Sequence, residues 1–243
     1  MKDTISKWVK QAVQGGFGLA GLKLSRLSAG QRTGSDKYFN TGQLTPLEEN
    51  SKSLYDRFYG DQQALEDYYQ GYRIQFYGEV SRCVREHLRT LDDKRLLDVG
   101  CGTGHLLSEL SSWSRPQSLH GCDFSDAAMA YSKVKFPGAS FFVQDITRPI
   151  PGAYDVVLCT EVLEHIERPF VALQHLLRVV VPGGVLVLTV PNGRLDQANE
   201  HINFWSPESW RAFLERECPH SSIQAGTLME NRINFAILRL PRP

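Results

Sequence analysis

The stretch Arg95-Leu96-Leu97-Asp98-Val99-Gly100-Cys101-Gly102-Thr103-Gly104-His105 decides the fold of this chain. An apolar run ends in three glycines at alternate positions, and a helix-compatible stretch follows from Leu106. This pattern is typical of a buried parallel strand that turns sharply into a helix. The glycines permit backbone angles closed to other residues and let the main chain approach a ligand. The stretch therefore predicts a ligand-binding turn in an α/β sheet.

The spacing of the glycines limits which class of ligand the turn could bind. A dinucleotide fingerprint has its third glycine three residues after a glycine pair, and here it comes one residue too early. A phosphate-binding P-loop needs Gly-Lys-Ser/Thr, which the stretch lacks. Asp98-x-Gly-x-Gly-x-Gly instead resembles the first motif of the class I S-adenosylmethionine (SAM) methyltransferases. The resemblance implies that Asp98, Gly100, Cys101, Gly102 and Gly104 contribute to a SAM site. An ordinary glycine-rich turn is the alternative.

The composition argues against several broad classes of protein. The chain has 243 residues, enough for one substantial α/β domain plus an extension. Its 27 basic and 27 acidic side chains cancel, so no overall attraction to nucleic acid or anionic lipid follows. The five cysteines form no C-x-x-C pair, no apolar run could span a bilayer, and the first residues are too polar for a signal peptide. We expect a cytoplasmic protein with reduced cysteines.

The chain divides into three predicted parts. Residues 1–53 form an N-terminal extension, in which an amphipathic segment with several lysines precedes a loop. Residues 1–27 could contact a membrane peripherally, but we favour a helix packed on the domain or a partly ordered tail. Residues 54–92 are helical and rich in tyrosine, and the resemblance implies that they form the substrate lid. Residues 93–243 would then form the SAM-binding catalytic domain.

A regular alternation of strands and helices follows the glycine turn. A parallel β–α series that ends in an antiparallel hairpin matches the class I methyltransferase sheet. The predicted fold is therefore α/β and Rossmann-like, mostly parallel with an antiparallel C-terminal hairpin, plus an N-terminal helical cap. The predicted strands are 118–123, 140–145, 154–160, 185–190, 222–229 and 232–240, and the predicted helices are 125–136, 168–181 and 207–217.

Polar residues follow the ends of successive predicted strands. Ligands of open α/β sheets bind at the carboxyl ends of the strands, and the carboxylate of Asp123 there can accept both hydrogen bonds from a ribose diol. The resemblance implies that Asp145 accepts from the adenine amino group and that Ile146 stacks on the ring. Phe124 and Thr160 complete the expected cofactor contacts. The alternatives are a helix cap at Asp123 and a solvated turn at Asp145.

An arginine ahead of the first motif is a further cofactor candidate. Ubiquinone-biosynthesis O-methyltransferases carry an arginine there that meets the carboxylate of the cofactor, and Tyr72-Arg73-Ile74 resembles that segment. Arg73 would then bind SAM. A surface arginine is the alternative.

The sequence Glu161-x-x-Glu164-His165, with a later His201, carries the candidate chemistry. If the segment turns helical, its polar side chains project in neighbouring directions. The pattern resembles the ubiquinone-biosynthesis O-methyltransferases and the small-RNA 3′-terminal 2′-O-methyltransferases. That resemblance implies that all four side chains hold a divalent cation, Mg²⁺, Mn²⁺ or Fe²⁺, beside two substrate oxygens. In the metal-free alternative, Glu161 supports the cofactor loop and His165 or His201 is a general base.

The expected function is SAM-dependent methylation of a small molecule, on a hydroxyl oxygen, with or without a metal. Other acceptors stay open within the methyltransferase class: an amine, a lipid-linked intermediate or a sugar-linked intermediate. An RNA acceptor lacks support because the chain is neutral and has no basic arm. A SAM-binding regulatory protein without turnover and a nucleotide-dependent oxidoreductase are the alternatives from other classes.

Overall fold

The computed structural model describes residues 37–242, with the exception of residues 40, 114, 116 and 117. The amphipathic segment predicted for residues 1–27, and with it the predicted membrane contact, lies outside the described residues. None of the helices in the described part is both long enough and apolar enough to cross a bilayer.

The described strands form one sheet in the order β3-β2-β1-β4-β5-β7-β6. All neighbouring strands pair in parallel except β7, which runs antiparallel to both β5 and β6. The order reverses between β1 and β4, and ligands of such sheets bind at this switch point. The predicted fold is confirmed. The strands are β1 (Arg95–Val99), β2 (Ser118–Asp123), β3 (Ser140–Val143), β4 (Tyr154–Thr160), β5 (Val180–Pro191), β6 (Ser222–Leu228) and β7 (Ile233–Arg239).

Some of the described helices pack on the sheet, and the others precede it in the chain and are called the cap below. Two apolar cores pack against β-strands, and a third, smaller cluster joins Phe39 to the helices of the cap. The helices are α1 (Pro46–Glu49), α2 (Lys52–Gly60), α3 (Gln62–Tyr68), α4 (Tyr72–His87), α5 (His105–Trp113), α6 (Asp126–Lys135), α7 (Pro169–Val179) and α8 (Pro207–Glu217).

Three local differences from the sequence prediction have clear physical causes. Helix α1 begins inside the predicted loop because Thr45 and Glu48 form a reciprocal capping box. Strand β5 begins at Val180, before the Pro-Gly-Gly stretch expected to lie outside it, because the pairing with β4 accommodates an irregularity there. The segment after β4 makes only a short 3₁₀ turn, Leu163–His165, and Glu161 before it has a φ of 54°. The helical spacing expected for this segment is therefore wrong.

The glycine turn places the main chain at the switch point. The backbone N–H groups of Gly100 and Cys101 both donate to the carbonyl oxygen of Cys122, at 2.8 and 3.0 Å. Gly100 has a φ of +73°, and a Cβ atom there would lie 2.3 Å from Cγ2 of Val162. Only glycine fits this position, since both the backbone angle and the close contact exclude a side chain.

Candidate functional site

Two adjoining cavities, of about 190 and 120 Å³, open at the carboxyl ends of β1, β2 and β4. Their shared wall includes Tyr55, Tyr59, Gly100, Glu161 and His165. All but one of the predicted cofactor residues line one or the other. Those that line the first cavity are Arg73, Asp98, Gly100, Cys101, Gly102 and Thr160, and those that line the second are Gly100, Asp123, Phe124, Asp145 and Ile146.

Gly104 is the exception. It lines neither cavity, and a Cβ atom there would lie 3.0 Å from Cζ of Phe141 and 3.2 Å from Cδ2 of Phe136. Its φ of +78° also favours glycine. Gly104 therefore allows the turn to pack against aromatic rings on its other side.

Two buried carboxylates, Asp98 and Asp123, lie near the carboxyl ends of β1 and β2. Oδ1 of Asp98 has no hydrogen-bond partner among the described residues. Burial and the neighbouring charge of Asp123 raise the pKa of Asp98 to about 8. Asp123 accepts from the backbone N–H groups of Gly102 and Ser125, at 3.1 and 3.0 Å. Burial raises its pKa to about 6, although these hydrogen bonds oppose the shift.

These carboxylates predict how the stability of the ligand-free protein depends on pH. The native state holds protons on Asp98 and Asp123 that the unfolded chain releases near pH 4, so stability falls as pH rises from about 4 to 8. The neutral His165, with a pKa of about 3, works in the opposite direction up to about pH 6.5. We expect the melting temperature to fall between pH 6.5 and 8.

The melting temperature of Asp98→Asn should fall less over this pH interval, because the variant lacks the proton that Asp98 releases on unfolding. Asp93→Asn is the matched control: Asp93 lies before β1 and has a φ of 59°, which asparagine tolerates. An unchanged pH slope in Asp98→Asn would contradict the assigned protonation.

The third strand end is held by local and long-range hydrogen bonds. Oδ1 of Asp145 accepts from the backbone N–H and the hydroxyl of Thr147, at 2.8 and 2.7 Å. From α7, Nδ1 of His175 donates to the carbonyl oxygen of Ile146 at 2.9 Å. Asp145 therefore uses one oxygen within its turn, and the backbone of Ile146 is fixed from below the cavity.

Arg73 contributes a guanidinium group to the first cavity. Its guanidinium carbon lies 4.6 Å from the ring centre of Tyr68, a cation–π distance. The guanidinium group of Arg73 forms no salt bridge with any of the described carboxylates. Burial opposes its charge, but nearby Tyr68, Tyr77 and Glu161 outweigh burial and raise the pKa of Arg73 above its ordinary value. Arg73 is therefore a charged donor group without an ion-pair partner in the described structure.

Glu164, His165 and His201 form a compact cluster in the first cavity. Their candidate ligand atoms all lie within 4.8 Å of one another, and the two imidazole centres are 4.7 Å apart. Glu164 is 1% exposed, and neither of its carboxylate oxygens has a hydrogen-bond partner among the described residues. Glu161 is not a member of this cluster, and its Oε1 accepts from the hydroxyl of Thr189 at 3.0 Å.

The loop after β5 holds the cluster in place. The backbone N–H groups of Ile202 and Asn203 donate to the carbonyl oxygen of Glu164, at 2.9 and 3.0 Å. The side-chain amide of Asn203 donates to the carbonyl oxygens of Leu163 and Ile166, at 3.3 and 2.8 Å. These bonds tie the short 3₁₀ turn to the loop that carries His201.

Each imidazole of the cluster has one nitrogen already engaged. Nδ1 of His201 donates to Oδ2 of Asp196 at 2.5 Å, and Nδ1 of His165 donates to the carbonyl oxygen of Glu200 at 3.3 Å. In a neutral imidazole the other nitrogen, Nε2, then carries the lone pair. Second contacts of this kind orient histidines as metal ligands or as bases.

Burial favours the uncharged forms of Glu164 and His165. Burial lowers the pKa of His165 to about 3, with a further contribution from His201. Burial raises the pKa of Glu164 well above its ordinary value, and the nearby Glu161 adds to the shift. Glu161 itself has a pKa of about 7, because burial outweighs the favourable charge of Arg73. A cation or a bound proton donor would therefore change the charge state of these groups.

Asp196 and Asn203 are site residues that sequence reasoning missed. Asp196 precedes His201 by five positions in a loop, so no helix or strand periodicity connects them. Asn203 acts on a turn forty positions earlier. The only local signal was the density of polar residues between Asn192 and Trp205.

Aromatic residues of the cap close the first cavity. The ring of Tyr69 stacks on His105, with centres 4.0 Å apart, and the hydroxyl of Thr103 lies 2.8 Å from Nδ1 of His105. Tyr59 and Tyr69 both approach the glycine turn, since their hydroxyl oxygens lie 2.9 and 3.3 Å from the position of a Cβ atom on Gly102. The cap thus lies directly over the turn that is expected to meet the cofactor.

Comparison with known families identifies this arrangement. Residues 69–217 match a family described as a methyltransferase domain, a span that begins in the cap and includes β1 to α8. The chain belongs to the class I SAM-dependent methyltransferases. The resemblance of the first motif to this family is thereby confirmed. Asp98, the glycine turn and the strand-end residues occupy the edge of the sheet where ligands of this fold bind.

Relatives and solved structures agree with this methyltransferase assignment. The chain is 34% identical over 110 residues to a ubiquinone biosynthesis O-methyltransferase of Dechloromonas aromatica, across 42% of this chain and 47% of the relative. The chain thus spans about half the length of the curated relatives it matches. Magnesium protoporphyrin IX methyltransferase from Synechocystis, solved with bound SAM, shares the fold with a TM-score of 0.60 and 18% identity, over 78% of this chain and 96% of that one. The plantazolicin methyltransferase BpumL has a TM-score of 0.60 and 17% identity, over 81% and 96%.

Proposed function

We propose that this methyltransferase transfers a methyl group from SAM to a hydroxyl oxygen of a small molecule, that Glu164, His165 and His201 form the acceptor site, and that the acceptor loses its proton there. One observation carries the proposal. The buried cluster opens into the same cavity as the glycine turn and Asp98. Acceptor and donor sites are therefore adjacent, as an in-line transfer requires.

The residues present fit SAM. Oδ1 of Asp98, at the cavity wall, has no hydrogen-bond partner among the described residues, and Gly100 and Gly102 line the same cavity. Asp123 would accept from the ribose hydroxyls, and Asp145 and Ile146 would meet the adenine. SAM supplies a methyl group on a sulfonium ion. The chain's own work is to hold that group in line with the acceptor and to exclude water.

The cluster also fits a divalent cation. It offers one carboxylate and two imidazoles, and neither carboxylate oxygen is hydrogen-bonded to a described residue, a donor set suited to Mg²⁺, Mn²⁺ or Fe²⁺. A bound cation would lower the pKa of a coordinated hydroxyl and fix its orientation. Glu161, bonded to Thr189, would act at the edge of the cluster. Without a cation, His201 is the better base, since Asp196 orients it and the pKa of His165 is too low for that role.

An amine acceptor is the second candidate, favoured by the carboxyl groups and aromatic rings that line the first cavity. Glu161, Glu164 and Glu200 line it with one arginine, Arg73, and tyrosine rings complete the wall. Carboxylates and aromatic faces together attract cations. An amine acceptor would be methylated equally well in the presence of a chelator, which separates it from metal-assisted hydroxyl methylation.

The test is transfer of labelled methyl from SAM to a panel of catechols, phenols and amines, with EDTA or with added Mg²⁺ or Mn²⁺. Methylation of a hydroxyl supports the proposal, and methylation of amines alone favours the second candidate. Binding of SAM without turnover on any acceptor would support a regulatory protein. Binding of NADH in preference to SAM would overturn the assignment.

The cation part of the proposal predicts a measurable binding site. Titration of the metal-free protein with Mn²⁺, followed by the loss of the free-ion paramagnetic resonance signal, should show one site. Glu164→Gln should weaken it by at least about tenfold, because a neutral amide is a poor ligand for a hard cation. Glu167→Gln, in the exposed position that follows the cluster, is the control. Equal Mn²⁺ binding by both variants would exclude the metal site.

Arg73 should affect SAM rather than the acceptor. A lysine cannot make the paired hydrogen bonds of a guanidinium group to a carboxylate. We therefore expect Arg73→Lys to weaken SAM binding about tenfold, about 1.4 kcal/mol, with little change in the acceptor KM. Calorimetric titration with SAM measures this. Arg82→Lys, an exposed arginine of the same helix that pairs with Glu79 and Glu86, should bind SAM normally. A normal affinity of Arg73→Lys would remove Arg73 from the cofactor site.

A further inference from the structure

Helix α2 of the cap is joined to the amino end of α6 by a group of charged residues. Oδ1 of Asp56 accepts from the hydroxyl of Ser125 at 2.6 Å and from the backbone N–H of Ala127 at 3.3 Å. Nζ of Lys52 bridges Asp56 and Asp126, at 2.7 and 2.5 Å. A carboxylate at the amino end of a helix is favoured by the free N–H groups and the helix dipole. The contact is thus a specific charge-assisted junction.

The same serine is bonded to the predicted ribose-binding carboxylate. Ser125 is fully buried, and its backbone N–H donates to Oδ1 of Asp123 at 3.0 Å. Oδ2 of Asp123 accepts from the backbone N–H of Gly102 at 3.1 Å. A continuous series of hydrogen bonds therefore runs from Asp56 in the cap through Ser125 and Asp123 to the glycine turn.

The residues on either side of Asp56 in α2 cover the cavities. Tyr55 packs edge-on against Phe124, with ring centres 5.2 Å apart, and the hydroxyl of Tyr59 approaches Gly102. Both tyrosines line both cavities. A cofactor bound along the strand ends would lie beneath this helix, and its exchange would require the helix to move.

We propose that Asp56 is a positioning residue that keeps helix α2 closed over the bound cofactor through its hydrogen bond to Ser125. The proposal rests on the proposed SAM site and adds to it a residue that controls cofactor exchange. Release of SAM, or of its demethylated product, requires the Asp56–Ser125 bond to break. Burial opposes the charge of Asp56, but the hydrogen bonds from Lys52, Ser125 and Ala127 outweigh burial and keep the pKa of Asp56 below its ordinary value. The Asp56 carboxylate that accepts these hydrogen bonds is therefore ionised at neutral pH.

The test compares cofactor release from Asp56→Asn and from the wild type. Protein loaded with labelled SAM is diluted into excess unlabelled SAM, and the retained label is followed by rapid filtration. We expect release to become about tenfold faster, which corresponds to about 1.4 kcal/mol, because the substitution removes a charge-assisted bond that closes the lid. Asp56→Glu, which keeps the charge, should restore part of the slow release.

Asp67→Asn is the matched control, because Asp67 lies on the neighbouring cap helix α3 and its side chain accepts a hydrogen bond from Gln63 of the same helix. Unchanged release from Asp56→Asn, or equally fast release from Asp67→Asn, would overturn the proposal. A merely structural role would lower the stability of the whole domain without this selective effect.

Hydrogen exchange on the ligand-free protein tests the junction without reference to SAM. Amides of residues 52–60 should exchange faster in Asp56→Asn, while those of β1 and β4 keep their protection. Unchanged exchange in 52–60, or faster exchange throughout the domain, would overturn the proposal. If the wild type binds neither SAM nor its product, the proposed function fails, and this measurement still decides whether Asp56 holds the helix.

Discussion

Replacing Glu164 by glutamine is expected to reduce methyl transfer by about 10²- to 10⁴-fold, the range for loss of a group that acts on the proton of the acceptor. The affinity for SAM should stay within about threefold of the wild type, because Glu164 belongs to the proposed acceptor site. The variant should fold normally. Since the pKa of Glu164 is raised well above its ordinary value, glutamine has the shape and the charge of the protonated side chain in the ligand-free protein.

The comparison needs steady-state kinetics and SAM titration on the same preparations. His165→Ala should give the same division between lost transfer and retained SAM binding, whereas Glu167→Gln should match the wild type in both. If Glu164→Gln and His165→Ala each transfer methyl groups at the wild-type rate, the cluster is not the acceptor site. If both lose SAM binding as well, the cluster belongs to the cofactor site instead.

Replacing Asp123 by asparagine is expected to weaken SAM binding by about 100-fold. A charged acceptor of two ribose hydrogen bonds contributes on the order of 3 kcal/mol, and its hydrogen bonds to Gly102 and Ser125 also position the glycine turn. Isothermal titration with SAM and with its demethylated product measures the loss. Both ligands carry the same ribose, so both should lose affinity equally.

The control for Asp123→Asn is Asp93→Asn, an equal chemical change at the opposite edge of the sheet. A loss of SAM affinity in the control would point to a general effect of charge. Wild-type affinity in Asp123→Asn would mean that the ribose lies elsewhere, and the assignment of the second cavity would have to be abandoned.

The cofactor half of the site was largely predictable because its residues follow directly from local patterns. A strand ends where the apolar run ends, and parallel strands bring their carboxyl ends to one edge. Asp123, Asp145 and Thr160 could therefore be placed at this edge from the sequence, with no long-range contact known. In the structure they line the two cavities. Gly104 shows the limit of this reasoning, since spacing alone did not reveal that it faces Phe141.

The acceptor half depended on contacts between distant segments. The pattern Glu161-x-x-Glu164-His165 suggested a helix, but the loop after β5 captures the carbonyl oxygen of Glu164 and keeps only a 3₁₀ turn. The same hydrogen bonds hold the loop that carries His201 beside Glu164 and His165. No local propensity encodes a hydrogen bond between residues about forty positions apart.

By itself, the sequence determined the α/β sheet, its glycine turn and the edge at which a nucleoside would bind, because strand periodicity and backbone sterics act over a few neighbouring residues. The tertiary structure alone decided which acids and imidazoles share a cavity, that Asp196 orients His201, and that Asp56 of the cap bonds to Ser125. These depend on how separate segments pack, and the free energy of such packing is a property of the folded chain as a whole.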